Sequence, residues 1–126
     1  MRLKRSRLRQ YYHKKRIMKK DGEGGTYDTY SSSPSVFTAE VWPASGKAQA
    51  EMYGERLKYI QNVRIDGAYT VQTDEKGIVH YLLPDGADFA ESDGLCLFCG
   101  KDEEPDYKII SIRPYRFLRL EVEKRR

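Results

Sequence analysis

The stretch VFTAEVWPASGKAQAEMYGERLKYIQNVRIDGAYTV, residues 36–71, decides how the rest of the chain is interpreted. Its first part alternates between apolar and polar residues, so Phe37, Ala39 and Val41 would share one face of an extended segment. Pro43 ends that alternation because it lacks a backbone N–H for a sheet ladder. The pattern predicts a strand from Val36 to Pro43 with one buried face.

The same stretch predicts a short helix and then a second strand. Ser45 is placed to cap a helix that begins near Lys47, and Gly54 keeps this helix short. Its expected apolar side consists of Ala48, Met52 and Leu57. Beyond it the alternation returns over about ten residues, which is typical of a half-buried strand. The residues expected on its apolar face are Val63, Ile65, Tyr69 and Val71.

The chain downstream reads as further short strands separated by turn residues. The segment TDEKG at 73–77 is typical of a hairpin turn. Strands are predicted at about 78–83, 95–99, 107–113 and 117–123. We therefore expect an all-β fold, a small antiparallel β-barrel or sandwich of about six strands, with one short α-helix after the Val36-to-Pro43 strand.

The domain organisation follows from charge and loop chemistry. Residues 1–20 contain ten Lys or Arg and no acid, so the net charge of +4 leaves −6 on residues 21–126. We predict a basic N-terminal arm at 1–20, whose second half could pair as an edge strand. A single barrel domain is predicted at 10–124, with long loops at 21–35 and 84–94.

Length and composition indicate one soluble domain. A chain of 126 residues with 39% apolar content can build a modest core. No apolar run approaches the roughly 20 residues of a membrane span, and the basic N-terminus has no apolar stretch behind it. We expect a cytosolic protein with no membrane association.

The sequence offers no convincing catalytic, metal or cofactor motif, and we expect none. Cys96 and Cys99 form a single pair, whereas a structural zinc site needs four ligands, and on a strand their sulfurs would diverge. We expect both cysteines to be structural. His13 and His80 have no partner at a recognisable spacing, and the acidic loops lack the ligand spacing of a calcium site. An enzyme remains a third reading only because active sites can assemble from distant residues.

The candidate functional residues are therefore partner-binding ones. The basic arm could contact nucleic acid phosphates or an acidic protein surface, or simply solubilise the chain. Trp42 could anchor an interface or pack against the helix. The full candidate set consists of Arg5, Arg7, Arg9, Lys14, Lys15, Arg16, Trp42, Asp85, Asp88 and Glu91.

Three runs of sequence resemble a known family. These are FTAEVWPASGKAQAEMYG at 37–54, NVRIDGAY at 62–69 and DYKIISIRPYRFLRLEVEK at 106–124. Together they resemble head–tail joining proteins, also called head-closure or head–tail adaptor proteins, of long-tailed bacteriophages and prophages of Gram-positive bacteria. The matching features lie at 39–43, at Ser45 and Gly46, at 63–65 and at 107–112.

The resemblance implies a structural, non-enzymatic connector subunit. Such a subunit would join a ring between the DNA-filled head and the tail, with portal or adaptor and tail-completion proteins as partners, and would help close the channel. Its location would be the virion head–tail interface, and the host cytoplasm before assembly. The isolated chain could be monomeric, and DNA in the channel is a further possible contact.

The alternative is a nucleic-acid-binding small β-barrel that uses the arm. We also expect that deletion of residues 2–20 spares the fold.

Overall fold

The computed structural model describes residues 7–125, and their architecture is a six-stranded closed antiparallel barrel with two small sheets outside it. The elements in chain order are β1 (Arg9–Lys14), β2 (Arg16–Lys20), β3 (Thr26–Tyr30), β4 (Ser35–Pro43), α1 (Lys47–Tyr53), a 3-10 helix (Gly54–Tyr59), β5 (Ile60–Ile65), β6 (Thr70–Thr73), β7 (Val79–Leu82), β8 (Asp88–Phe89), β9 (Gly94–Cys96), β10 (Tyr107–Pro114) and β11 (Leu118–Lys124). Within residues 7–125, no helix has the length and hydrophobicity needed to cross a bilayer.

The barrel strands follow the order β1-β4-β5-β11-β10-β9. Alternate residues of these strands point into a continuous apolar core, as a closed sheet requires. The side chains of the barrel strands that form this core include Phe37, Ala39, Val63, Ile65, Leu95, Ile109, Leu118, Leu120 and Val122. The expected all-β barrel with one short helical segment is confirmed.

The stretch at 36–71 forms the predicted strand, helix and strand. Strands β4 and β5 pair directly, with Val41 opposite Val63. The helix is confirmed, but Ser45 does not cap it: Gly46 occupies the cap position, and the Ser45 backbone N–H donates to the Gln49 side chain. The predicted apolar side was also wrong, because Met52 is 58% exposed.

The second predicted strand ends earlier than expected. A bend at Gly67, with φ of 121°, separates Ile65 from the next strand, β6. Val71 consequently lies in a different sheet and is exposed. An apolar residue at the right spacing is not enough to extend a strand across a glycine that adopts positive φ.

The predicted basic arm at 1–20 overlaps the barrel, whose predicted start at residue 10 lies within β1. Residues 9–14 form β1, which pairs with β4 on one side and β9 on the other. This strand is interior to the closed sheet rather than at an edge. Deletion of residues 2–20 would therefore open the barrel, and the expectation that it spares the fold is corrected.

Both predicted long loops contain ordered strands. Within 21–35, β3 pairs with β2, with Met18 opposite Asp28, in a hairpin that leaves the barrel. Within 84–94, β8 pairs with β7, and Phe89 is fully buried against Phe37 and His13, with ring centroids 5.2 and 4.5 Å apart. The segment at 84–94 thus closes the core instead of reaching outward.

Candidate interaction surfaces

A buried polar cluster joins the barrel to the hairpin of β2 and β3. Asp93 is buried and accepts hydrogen bonds from Nε2 of His13 at 2.8 Å, Nζ of Lys15 at 2.9 Å and the backbone N–H of Arg16 at 3.0 Å. Burial tends to raise the pKa of Asp93, but the hydrogen bonds from His13, Arg16 and Lys15 outweigh it and lower the pKa. The cluster fixes the direction in which the hairpin leaves the barrel.

A second polar cluster ties the small sheet of β6, β7 and β8 together. His80 places Nε2 2.9 Å from Asp74 and Nδ1 2.9 Å from Asp88. Hydrogen bonds to these two carboxylates raise the pKa of His80. Lys15 approaches Asp88 to 3.8 Å, so the two clusters are adjacent. A cleft of about 390 Å³ lies beside them, and Arg16, Ile78, Val79, Tyr81 and Glu91 contribute to its lining.

The hairpin and the small sheet expose apolar side chains. On the hairpin these are Ile17, Met18 and Tyr27, and on the small sheet they are Val71, Ile78 and Val79. Within residues 7–125, β2, β3 and β6 each pair on one side only. Exposed apolar residues beside an unpaired strand edge are the features from which strand-addition contacts are built.

The outer wall of the barrel carries a row of arginines. Because Arg64 of β5 is opposite Arg119 of β11, and Arg119 is opposite Arg113 of β10, three guanidinium groups lie on neighbouring strands. Trp42 of β4 lies beside them, with Arg64 and Arg119 at 5.1 and 5.4 Å from its ring centroid. Trp42 therefore packs under two arginines.

The helix is attached to this wall by polar contacts. The Gln49 amide donates to Asn62 at 2.7 Å and to Glu121 at 2.8 Å, and Glu121 also accepts from Nε of Arg113 at 2.9 Å. Glu121 is only 1% exposed. Burial, with Glu121 nearby, raises the pKa of Tyr53 to about 12. No residue of α1 is buried, so these hydrogen bonds rather than apolar packing position it.

The two cysteines lie closer together than a strand would allow. Strand β9 ends at Cys96 and Cys99 lies in the turn beyond it, so the prediction that their sulfurs diverge was wrong. Burial, and then the neighbouring Cys99 thiol, raise the pKa of Cys96 to about 12, which disfavours the reactive thiolate.

Among residues 7–125, no group of three His, Cys, Asp or Glu side chains is arranged to hold a metal ion.

The structure separates the predicted site residues into distinct places. Arg7, Arg9 and Trp42 line one shallow depression on the barrel, with Arg7 3.4 Å from Glu40. Lys15 lies 3.8 Å from Asp88 at the base of the hairpin, and Arg16 and Glu91 line the cleft beside them. Lys14 is 5% exposed and donates to the carbonyl of Glu103 at 2.7 Å, so it acts inside the fold. Asp85 lies exposed in a turn, where it accepts from the Ala87 N–H. Arg5 lies outside the described residues.

Sequence reasoning missed the arginine row. Arg64 and Arg119 each stand between two buried apolar residues, so their outward direction could be read from the alternation. Their adjacency depends on the register between β5 and β11, which the alternation does not specify.

Comparison with protein-family models, with curated proteins and with solved structures finds no match to this chain.

Proposed function

We propose that the protein is a structural connector subunit of a tailed phage or prophage. It joins the portal or adaptor of the head to the tail, acts in the virion as part of a ring, helps close the channel, and has no enzymatic activity. Before assembly it resides in the host cytoplasm. The resemblance at 37–54, 62–69 and 106–124 supports this proposal at the level of sequence.

The observation that carries the proposal is a rigid closed barrel with two strand groups outside it that expose apolar side chains. A barrel has no sheet edge of its own, so association by strand addition must use elements outside it. The hairpin offers Ile17, Met18 and Tyr27 beside unpaired edges, and the Asp93 cluster holds its base in a fixed direction. A hairpin that exposes apolar side chains along its strands suits docking to a preformed protein ring.

The hairpin can be tested without disturbing the barrel. We expect the wild-type protein to co-migrate with purified portal or adaptor rings in size-exclusion chromatography with light scattering. Ile17→Ser with Tyr27→Ser removes apolar area from one face of the hairpin and should weaken this association at least about tenfold. The matched control is Lys20→Ser with Thr26→Ser, a cross-strand pair of the same hairpin, which should retain it.

Two results would contradict the proposal. One is a wild-type protein that fails to co-migrate with any portal, adaptor or tail-completion ring. The other is equal association of the Ile17/Tyr27 variant and its control with the rings. That result would show that the hairpin is not part of the contact, although it would leave the connector role itself untested.

A second candidate is a nucleic-acid-binding small barrel. The arginine row beside Trp42 favours it, because guanidinium groups and aromatic rings are the residue types that contact phosphates and bases. This candidate would be favoured if the protein bound short DNA with an affinity that falls steeply as salt rises and did not bind phage rings.

A further inference from the structure

The arginine row is electrostatically unfavourable as it stands. Like charges placed directly opposite on paired strands are destabilising. Arg119 lies directly opposite Arg64 on one neighbouring strand and directly opposite Arg113 on the other. Arg113 is balanced by Glu121, but neither Arg64 nor Arg119 forms an ion pair with a carboxylate among residues 7–125. Nε of Arg119 is buried and has no hydrogen-bond partner there. An unneutralised cationic surface of this kind fits an anionic partner.

A surface of opposite character lies between β9 and β10. The turn at 101–106 has the sequence KDEEPD, and Asp102 and Glu103 are exposed and form no ion pair with a described residue. Phe98, just before this turn, is 70% exposed. We call Phe98, Asp102, Glu103 and Glu104 the acidic surface. It combines an aromatic ring with carboxylates, whereas the row combines guanidinium groups with an aromatic ring.

The acidic surface is held in shape before any partner binds. The Asp106 carboxylate accepts from the backbone N–H groups of Leu97 and Phe98 at 2.9 and 3.0 Å. Lys14 donates to the carbonyl of Glu103 at 2.7 Å, and the Phe98 ring rests edge-on against Tyr107 at 5.9 Å between centroids. A fixed surface loses little conformational entropy on association.

The two surfaces occupy different places on the barrel. In the closed order β1-β4-β5-β11-β10-β9, strand β9 is three positions from β5 and two from β11. Arg113 stands near the end of β10 that is away from the turn at 101–106. Complementary surfaces at two different places on a molecule can join successive copies head to tail, which is the arrangement of rings and open chains.

We propose that the arginine row of one molecule binds the acidic surface of a second copy of this chain. Arg64 and Arg119 would pair with Asp102 and Glu103 of the neighbour, and its Phe98 would pack on the guanidinium planes. This inference deepens the proposed function and rests on it, since it names the two surfaces through which subunits of a ring would meet.

Nucleic acid fits the row less well than a second copy does. Two guanidinium groups already lie over the Trp42 ring, so no base can stack there without displacing them. Arg113 and Arg119 line a depression beside the helix, together with Met52 and Tyr115, and the test below distinguishes a DNA strand bound there from a second copy.

Complementary variants test the head-to-tail contact on the purified protein alone. Variant A carries Arg64→Glu with Arg119→Gln, and variant B carries Asp102→Asn with Glu103→Gln. Light scattering and sedimentation would be measured up to about 1 mM protein at low salt. We expect the wild-type average mass to rise with concentration and each variant alone to stay monomeric. A mixture of A and B should form only a one-to-one dimer, because each variant keeps one intact surface.

The control variant is Lys19→Glu with Lys20→Glu, which makes a similar charge change on the hairpin and should associate like the wild type. Circular dichroism would check that every variant is folded, and Arg64→Glu alone replaces variant A if Arg119 proves necessary for folding. A wild-type chain that is monomeric throughout, or a mixture of A and B that does not pair, overturns the proposal. Short DNA that binds the wild type but does not bind variant A would also overturn the proposal, because it would assign the row to nucleic acid. No phage component is used in this experiment. Its failure would therefore say nothing about binding to portal rings, which is tested separately.

Discussion

At the scale of single residues, His80 shows how two neighbouring carboxylates favour the protonated form of an imidazole. A neutral imidazole has one N–H donor, yet both nitrogens of His80 face carboxylates at 2.9 Å. Asp74 first, and then Asp88, raise the pKa of His80 above its ordinary value of 6.5, although Lys15 opposes this. Protonated His80 therefore holds the turn of the β6–β7 hairpin to β8.

This arrangement predicts a pH-dependent contribution to stability. Because the folded-state pKa is raised, the stabilisation is fully present below the unfolded pKa of 6.5 and is lost as pH rises through the folded value. The free energy of unfolding of His80→Gln should fall further below that of the wild type at about pH 6 than at about pH 9 in urea titrations. Gln72→Ala, at the cross-strand partner of His80, is the control and should show no such dependence. A difference between wild type and His80→Gln that is the same at both pH values would contradict this assignment.

At the scale of elements, the helix illustrates a segment held by side-chain hydrogen bonds. Residues of α1 bury no apolar side chain, and Gln49 alone reaches Ser45, Asn62 and Glu121. Removal of the amide would leave the buried groups of Asn62 and Glu121 short of a partner, and an unsatisfied buried polar group costs about 1–3 kcal/mol. The Gln49 amide thus makes the buried polar contacts of the helical segment, which the Tyr53 hydroxyl on Glu121 and Arg56 on Glu123 supplement.

Gln49→Ala should lower the free energy of unfolding by about 1–3 kcal/mol and speed amide hydrogen exchange selectively at 47–59. Glu51→Ala, an exposed position of the same helix, should change stability by no more than about 0.5 kcal/mol. Exchange at 47–59 that stays as slow as in the wild type would show that other contacts position the helix.

At the scale of the whole molecule, closure of the barrel makes β1 indispensable. The strand contributes pairs to both β4 and β9, and His13 on it packs against Phe89 in the core. Deletion of residues 2–8 should leave a folded protein whose melting temperature changes by only a few degrees, since the ion pair that Arg7 forms with Glu40 is 3.4 Å long and Arg7 is exposed.

Deletion of residues 2–14 should instead abolish cooperative thermal unfolding and the near-ultraviolet circular dichroism signal. The loss of β1 leaves β4 and β9 with unpaired edges and opens the apolar core to water. Equal melting curves for the two truncations would mean that the barrel closes without β1.

Alternation and turn chemistry were enough to predict the fold class and most of the strands. Alternation around Val41 and Val63 is a local property that survives folding, so β4 and β5 appear where the pattern predicts them. Turn residues at 73–77 likewise act locally, and the hairpin there is confirmed. The candidate residues at the N-terminus were found by their charge, but charge does not reveal whether a lysine such as Lys14 is used inside the fold.

Tertiary structure alone decided which of these elements meet. Strand β1 reads as part of a basic arm because its apolar contacts come from β4 and β9, which are distant in sequence. The same holds for the arginine row, since only the register of β5, β11 and β10 makes Arg64, Arg119 and Arg113 neighbours. Residue types specify what a segment prefers within a few positions, whereas pairing between distant strands is set by closure of the barrel around its core.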